Sequence, residues 1–175
     1  STDALEASQQ KLEKILNRLV QKERITAEKA QSIQQNIQYV DSLEDLSSSE
    51  MIIEAIIENA GIKKKVFQEL ELHVDENCII ASNTSSLSVT SLGAALEKPA
   101  RFLGIHFFNP APLMALVEII PAIQTDASIT QRARSIIDNW GKTTVLAKDT
   151  PGFIVNKVAR PFYSEALRMY EEGIA

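Results

Sequence analysis

The run Met51-Ile52-Ile53-Glu54-Ala55-Ile56-Ile57 is apolar at every position but one. A strand with one face in water alternates apolar and polar residues, so a near-continuous run of this kind marks a strand covered on both faces, as in parallel sheets. Glu58 and Asn59 end the run, and Ile62, Val66, Phe67, Leu70 and Leu72 then form the stripe of a helix that can pack back on the sheet. Cys78-Ile79-Ile80-Ala81 is the next buried strand. Strand, helix and strand joined by short links predict a right-handed parallel crossover.

Further along, Phe102-Leu103-Gly104-Ile105 and Leu116-Val117-Glu118-Ile119-Ile120 read as strands, Ile129 to Trp140 as a helix and Thr143-Thr144-Val145-Leu146 as a closing strand. Ser82-Asn83-Thr84-Ser85-Ser86 reads as a capped turn into a short helix near Leu87 to Leu96. Thr150-Pro151 starts a last helix with proline at its first position. That helix runs through Tyr170 and is apolar on several sides, which predicts burial. Before the first strand, Asp3 with Glu6 forms a capping-box signal for an amphipathic helix to about Lys22. Thr26 caps a second helix through about Gln35, and Ile37 to Val40 is expected as a short strand. The fold class is therefore α/β, a doubly wound and mostly parallel sheet.

The 175 residues, 45% of them hydrophobic, suffice for one core and the beginning of a second domain. A net charge of -5 with no basic block argues against nucleic acid as a partner. Lys63-Lys64-Lys65 fans round a helix, so its default place is a solvated face, with one of the three free to point into a site. The single cysteine, Cys78, lies in an apolar run and reads as a buried, inert thiol in a reducing cytoplasm. No stretch has the length of a membrane span, and no metal-ligand spacing occurs.

The chemistry concentrates at His106-Phe107-Phe108-Asn109-Pro110-Ala111-Pro112. The two prolines stop the strand after Asn109, so His106 and Asn109 sit where a strand runs out, next to the crevice in which open parallel sheets bind ligands. Glu118 is the lone carboxylate of the following strand, costly to bury unless paired, and an imidazole would relieve that cost. A carboxylate on one ring nitrogen fixes the tautomer and raises the basicity of the other, which is the arrangement of general acid-base catalysis.

Four blocks carry a resemblance in their order and spacing: Ser82 to Leu87, His106 to Pro110, Val117-Glu118, and Asp149-Thr150-Pro151-Gly152-Phe153-Ile154-Val155-Asn156. Together they are similar to the 3-hydroxyacyl-CoA dehydrogenase family, and the similarity extends to Glu58-Asn59, Lys63 and essentially the whole chain. The resemblance implies oxidation of the 3-hydroxyl of a fatty acyl-CoA by NAD, or the reverse, by a homo-oligomeric enzyme. It makes His106 the general base, Glu118 its orienting partner, and Ser85 and Asn156 the groups that hold the substrate's hydroxyl and carbonyl region. Glu58, Lys63, Asn83 and Asn109 match family positions near the cofactor's ribose and nicotinamide.

The family opens with a glycine-rich turn, and the six glycines here, all at least eleven residues apart, cannot form G-x-G-x-x-G. The expectation is a partial NAD-binding domain over 1–149, lacking its first βαβ unit, and the first helix of an all-helical domain over 150–175. Such a chain by itself should bind NAD weakly and lack activity. Two other readings stay open: a related dehydrogenase of a small free hydroxy acid, and a non-enzymatic association module.

Overall fold

The computed structural model describes residues 2–174, which divide into two compact units, 1–47 and 48–175. In the first, α1 (Thr2–Gln21) and α2 (Ala27–Gln35) pack together, and Leu16 and Ala30 are buried. Asp3 lies inside the first turn of α1, where its charge favours the helix's positive end, so it does not occupy the expected cap position. Thr26 does cap α2, its hydroxyl accepting from the Lys29 N–H at 3.2 Å. The expected strand at Ile37–Val40 does not form. The segment pairs with no strand, and without a ladder its alternation has nothing to hold it.

The second unit is a five-stranded sheet in chain order: β1 (Met51–Glu54), β2 (Ile79–Ser82), β3 (Phe102–Phe107), β4 (Leu116–Pro121) and β5 (Thr143–Leu146). β1, β2 and β3 run parallel, as do β4 and β5, while β4 is antiparallel to β3. The residues between Phe107 and Leu116 are too few for a crossover, which needs about a dozen or more, so the chain turns straight back. This turn places Glu118 directly opposite His106.

Both faces of the sheet are covered. Ile79, Ala81, Leu103, Ile105, Val117 and Ile119 pack with Ala133 and Ile137 of α5 (Ala127–Asn139). On the other face Phe67 of α3 (Ala60–Glu71) meets Phe102 edge to face at 4.9 Å. There too α4 (Val89–Gly93) lies so close that a Cβ on Gly104 would stand 2.9 Å from Val89 Cγ2 and 3.1 Å from Ile120 Cβ. Gly104→Ala should therefore cost on the order of 1–3 kcal/mol, the usual scale of overpacking, read as a lower unfolding midpoint. An unchanged midpoint would show that α4 can move away.

Three expected boundaries and one buried stripe shift for local reasons. β1 stops at Glu54, three residues early, because the Glu54 carboxylate turns to accept the Ile56 N–H at 2.5 Å and draws the chain out of the ladder. The buried stripe of α3 is Lys63, Phe67 and Leu70, while Leu72 is 79% exposed; a lysine with a buried carboxylate partner takes an inward position that hydrophobicity alone assigns to its neighbours. The helix expected near Leu87 to Leu96 is the single short α4, with Ser88 as its cap. The last helix, α6 (Val155–Glu171), starts at Val155. Thr150-Pro151 instead enters a turn in which Gly152 and Phe153 take left-handed conformations, at φ 79 and 48. No described residue of α6 is buried, and Phe162 is 74% exposed, so the burial expected for this helix is not met within the chain.

Candidate functional site

His106 and Glu118 meet as partners across the antiparallel pair, with His106 Nδ1 2.7 Å from Glu118 Oε2. The ring lies between two aromatic neighbours, Phe108 at 4.7 Å and Phe153 at 5.6 Å between centroids. Glu118 is fully buried, and a carboxylate in that position needs each oxygen occupied. Its second oxygen, Oε1, accepts the N–H groups of Ile154 and Val155, both at 2.9 Å. Those are orphan donors at the N-terminus of α6, where a negative charge is favoured. The turn at Gly152-Phe153 delivers both the Phe153 ring and these amides, so the left-handed residues belong to the site.

A carboxylate accepts only, so Nδ1 carries the ring proton of the neutral imidazole and Nε2 presents its lone pair. Nε2 has no partner among the described residues. Asn83, the residue after β2, accepts the Phe107 N–H at 2.8 Å on its side-chain oxygen, which leaves its amide NH2 unpartnered among the described residues. The Ser85 hydroxyl and the side chains of Asn109 and half-buried Asn156 are likewise without hydrogen-bond partners among the described residues. Such free donors and acceptors suit a ligand with hydroxyl, carbonyl and amide groups.

At the ends of β1 and β2 lies a second polar cluster. Lys63 is buried, with its ammonium 2.6 Å from Glu54 Oε1 and 3.2 Å from Glu58 Oε2. Glu58 in turn accepts the hydroxyls of Thr84 and, at 3.0 Å, Ser86. Burial raises the Glu58 carboxyl, but the Thr84 and Ser86 hydroxyls and the Lys63 ammonium outweigh it and hold Glu58 below the ordinary glutamate range. Lys64 is half-buried and reaches the Ser91 hydroxyl at 3.2 Å.

Residues 1–150 match the family model described as 3-hydroxyacyl-CoA dehydrogenase, NAD binding domain. The chain belongs to this family. It is 37% identical over 174 residues to the 3-hydroxybutyryl-CoA dehydrogenase of Bradyrhizobium diazoefficiens, covering 99% of this chain and 59% of that protein. To the 3-hydroxyadipyl-CoA dehydrogenase of Escherichia coli it is 39% identical over 160 residues, 91% of this chain and 34% of the relative. The crystal structure of (S)-3-hydroxybutyryl-CoA dehydrogenase from Ralstonia eutropha superposes with a TM-score of 0.96 at 38% identity, over all of this chain and 62% of that one. The chain thus spans between about one third and three fifths of the relatives it matches.

Within this dehydrogenase-family site, three residues escaped the sequence reading. Glu54 was visible only as the one charge in an apolar run, and the signal that could have found it is the lysine nine residues later, in the first turn of α3. Lys142 gathers the carbonyls of Ala111 at 2.7 Å, Met114 at 2.9 Å and Pro112 at 3.4 Å, and so ties down the loop that follows Asn109. Asp149 sits in one of the matched blocks, yet its work is across the fold: it accepts the N–H groups of Val89 and Thr90 and the Ser88 hydroxyl, pinning α4 to the loop before α6.

Burial raises the Asp149 carboxyl, but the Thr90 amide and hydroxyl, the Val89 amide and the Ser88 hydroxyl outweigh it and hold the group below the usual aspartate range. A depressed folded-state value means that the ionised carboxylate stabilises fully above about pH 4, the unfolded aspartate value, and that this contribution is lost as pH falls through the folded value. The stability difference between the native protein and Asp149→Asn should accordingly be constant at neutral pH and narrow in acid. Melting curves taken from pH 7 downward check this, and a difference that does not narrow contradicts it.

Proposed function

We propose that the protein oxidises the 3-hydroxyl of an (S)-3-hydroxyacyl-CoA to the 3-keto thioester, or runs the reverse reduction, with His106 as the base. The observation that carries this reading is the Glu118 carboxylate: one oxygen fixes the His106 tautomer and the other is locked by the Ile154 and Val155 amides. His106 Nε2 then takes the hydroxyl proton, and the ring, positively charged, is stabilised by the buried carboxylate 2.7 Å away. Ser85 and Asn156 are assigned to the substrate's hydroxyl and carbonyl region, where their free polar groups fit. Glu58, Asn83 and Asn109, with Lys63 behind Glu58, are assigned to the cofactor side. NAD bound there would supply the hydride acceptor.

We further read residues 1–149 as the NAD-binding domain and 150–175 as the start of a helical domain. The buried thiol of Cys78, raised by burial, accords with a reducing cytoplasm. No helix among the described residues is long and apolar enough to cross a membrane. The apolar face of α6, with Val158, Phe162, Tyr163, Leu167 and Tyr170 exposed, supports a homo-oligomer packed through that helix. Light scattering should give dimers or larger species for the protein and a shift towards monomer for Phe162→Glu with Leu167→Glu; identical masses would remove α6 from the interface.

The direct test of the activity follows NADH formation by the full-length protein with 3-hydroxybutyryl-CoA and with free 3-hydroxybutyrate. Turnover of the thioester alone is expected. Turnover of the free acid without the thioester would assign the site to a different hydroxy acid dehydrogenase.

A further inference from the structure

We propose that Asp149 is a positioning residue for the oxidation: its one carboxylate holds both the turn that sets Glu118 against His106 and the start of α4 that follows Ser85, and so fixes the base relative to the substrate hydroxyl. This role rests on the reading above of His106 as the base and Ser85 as a substrate contact. Glu118 is aligned from its far side by the Ile154 and Val155 amides, both at 2.9 Å, so those amides must themselves be held. The chain is tied to the sheet as far as Ala147, whose N–H the Ile119 carbonyl accepts at 2.9 Å. After it the backbone bonds are local: the Thr150 N–H to the Lys148 carbonyl at 2.8 Å, Phe153 to Thr150 at 2.9 Å and Lys157 to Gly152 at 3.1 Å. Among the described residues, only the Asp149 side chain joins residues 148–153 to another part of the fold by hydrogen bonds.

Its two oxygens take three donors, the Val89 N–H at 3.0 Å on Oδ1, and the Thr90 N–H at 2.8 Å and the Ser88 hydroxyl at 2.9 Å on Oδ2. The Ser88 oxygen meanwhile accepts the Ser91 N–H at 3.2 Å, so the amides that open α4 are engaged within the fold. The anchor is firm, because Val89 is fully buried and lies where a Cβ on Gly104 would come within 2.9 Å of it. Ser85 stands three residues before Ser88, and Gly152 three residues after Asp149. The tie therefore sits between the loop that presents Ser85 and the turn that delivers the Phe153 ring and the two amides. Without it the turn keeps only its local bonds and the packing of Phe153, and a misplacement of about 1 Å between reacting groups costs on the order of 10²-fold in rate.

The test uses full-length protein and 3-hydroxybutyryl-CoA, with kcat and amide hydrogen exchange as readouts, well below the melting point of every variant. Asp149→Ala is expected to lower kcat by about tenfold or more. Ile137→Val loosens the core under α5 without touching either end of the tie, and its kcat should stay within about twofold of native. Equal losses in the two variants would make the effect one of general stability and overturn the proposal, as would a native kcat in Asp149→Ala. Because Asp149 acts through the dyad, adding Asp149→Ala to Glu118→Gln should cost no more than about threefold further, and roughly a further tenfold loss would place its action elsewhere and also overturn it. Exchange at the Ile154 and Val155 amides should quicken in Asp149→Ala while β3 amides keep their protection; unchanged exchange counts against the tie. Failure of the native protein to turn over the thioester would reject the reading of His106 and leave the exchange result to decide the tie. Should Asp149→Ala not fold, Asp149→Asn, which keeps one acceptor oxygen, must show the same local quickening, and its absence overturns the proposal.

Discussion

Replacing His106 by glutamine is expected to lower 3-hydroxyacyl-CoA turnover by a factor on the order of 10²–10⁴, the usual contribution of a positioned general base. Glutamine keeps a polar group of similar reach but cannot take a proton near neutrality. The loss should fall on kcat, with NADH affinity within about twofold of the native protein, since proton transfer belongs to the transition state and the cofactor contacts are proposed for other residues. A parallel rise in NADH dissociation constant would mean that the substitution disturbs the site as a whole. Near-native turnover would remove His106 from the chemistry.

Glu118→Gln is expected to reduce turnover by a similar factor for a different reason, and to destabilise the protein as well. The carboxylate accepts on both oxygens, from His106 Nδ1 on one side and from the Ile154 and Val155 amides on the other. A glutamine amide offers one acceptor and one donor, so whichever way it turns, a donor meets a donor. With its NH2 towards His106, the imidazole must move its proton to Nε2 and the base is lost, the effect that a carboxylate-to-amide change has in hydrolase triads, about 10⁴ in rate. With its NH2 towards α6, the first turn of the helix loses its acceptor, at about 1–3 kcal/mol for each buried donor left unpaired. Thermal melts and turnover on the same preparation separate the two. Native values for both would show that the carboxylate carries neither load.

The sheet was legible because its inner strands are continuous apolar runs: Cys78-Ile79-Ile80-Ala81 and Phe102 to Ile105 are buried as their composition demands. The dyad was legible for the opposite reason, since a histidine at a strand end and one carboxylate in an apolar strand are each costly alone. What escaped was set by partners distant in the chain. Nothing local tells that Lys63 faces inward while Lys64 and Lys65 do not; the buried Glu54 carboxylate nine residues earlier decides it. Pro151 is a sound helix-start signal by itself, yet the left-handed pair Gly152-Phe153 delays α6 to bring the Ile154 and Val155 amides onto Glu118. Ile37 to Val40 has the alternation of a strand but no neighbouring strand to complete it.

His106 can act as base only through a ring nitrogen that carries no proton. Nitrogen-15 NMR of the imidazole in the native protein identifies it without any assay. The neutral ring is expected to carry its proton on Nδ1, facing Glu118, with Nε2 unprotonated, and in Glu118→Gln that preference should weaken or reverse. A native ring with its proton on Nε2 would leave no lone pair for the substrate hydroxyl, and would contradict the assignment of His106 as the base.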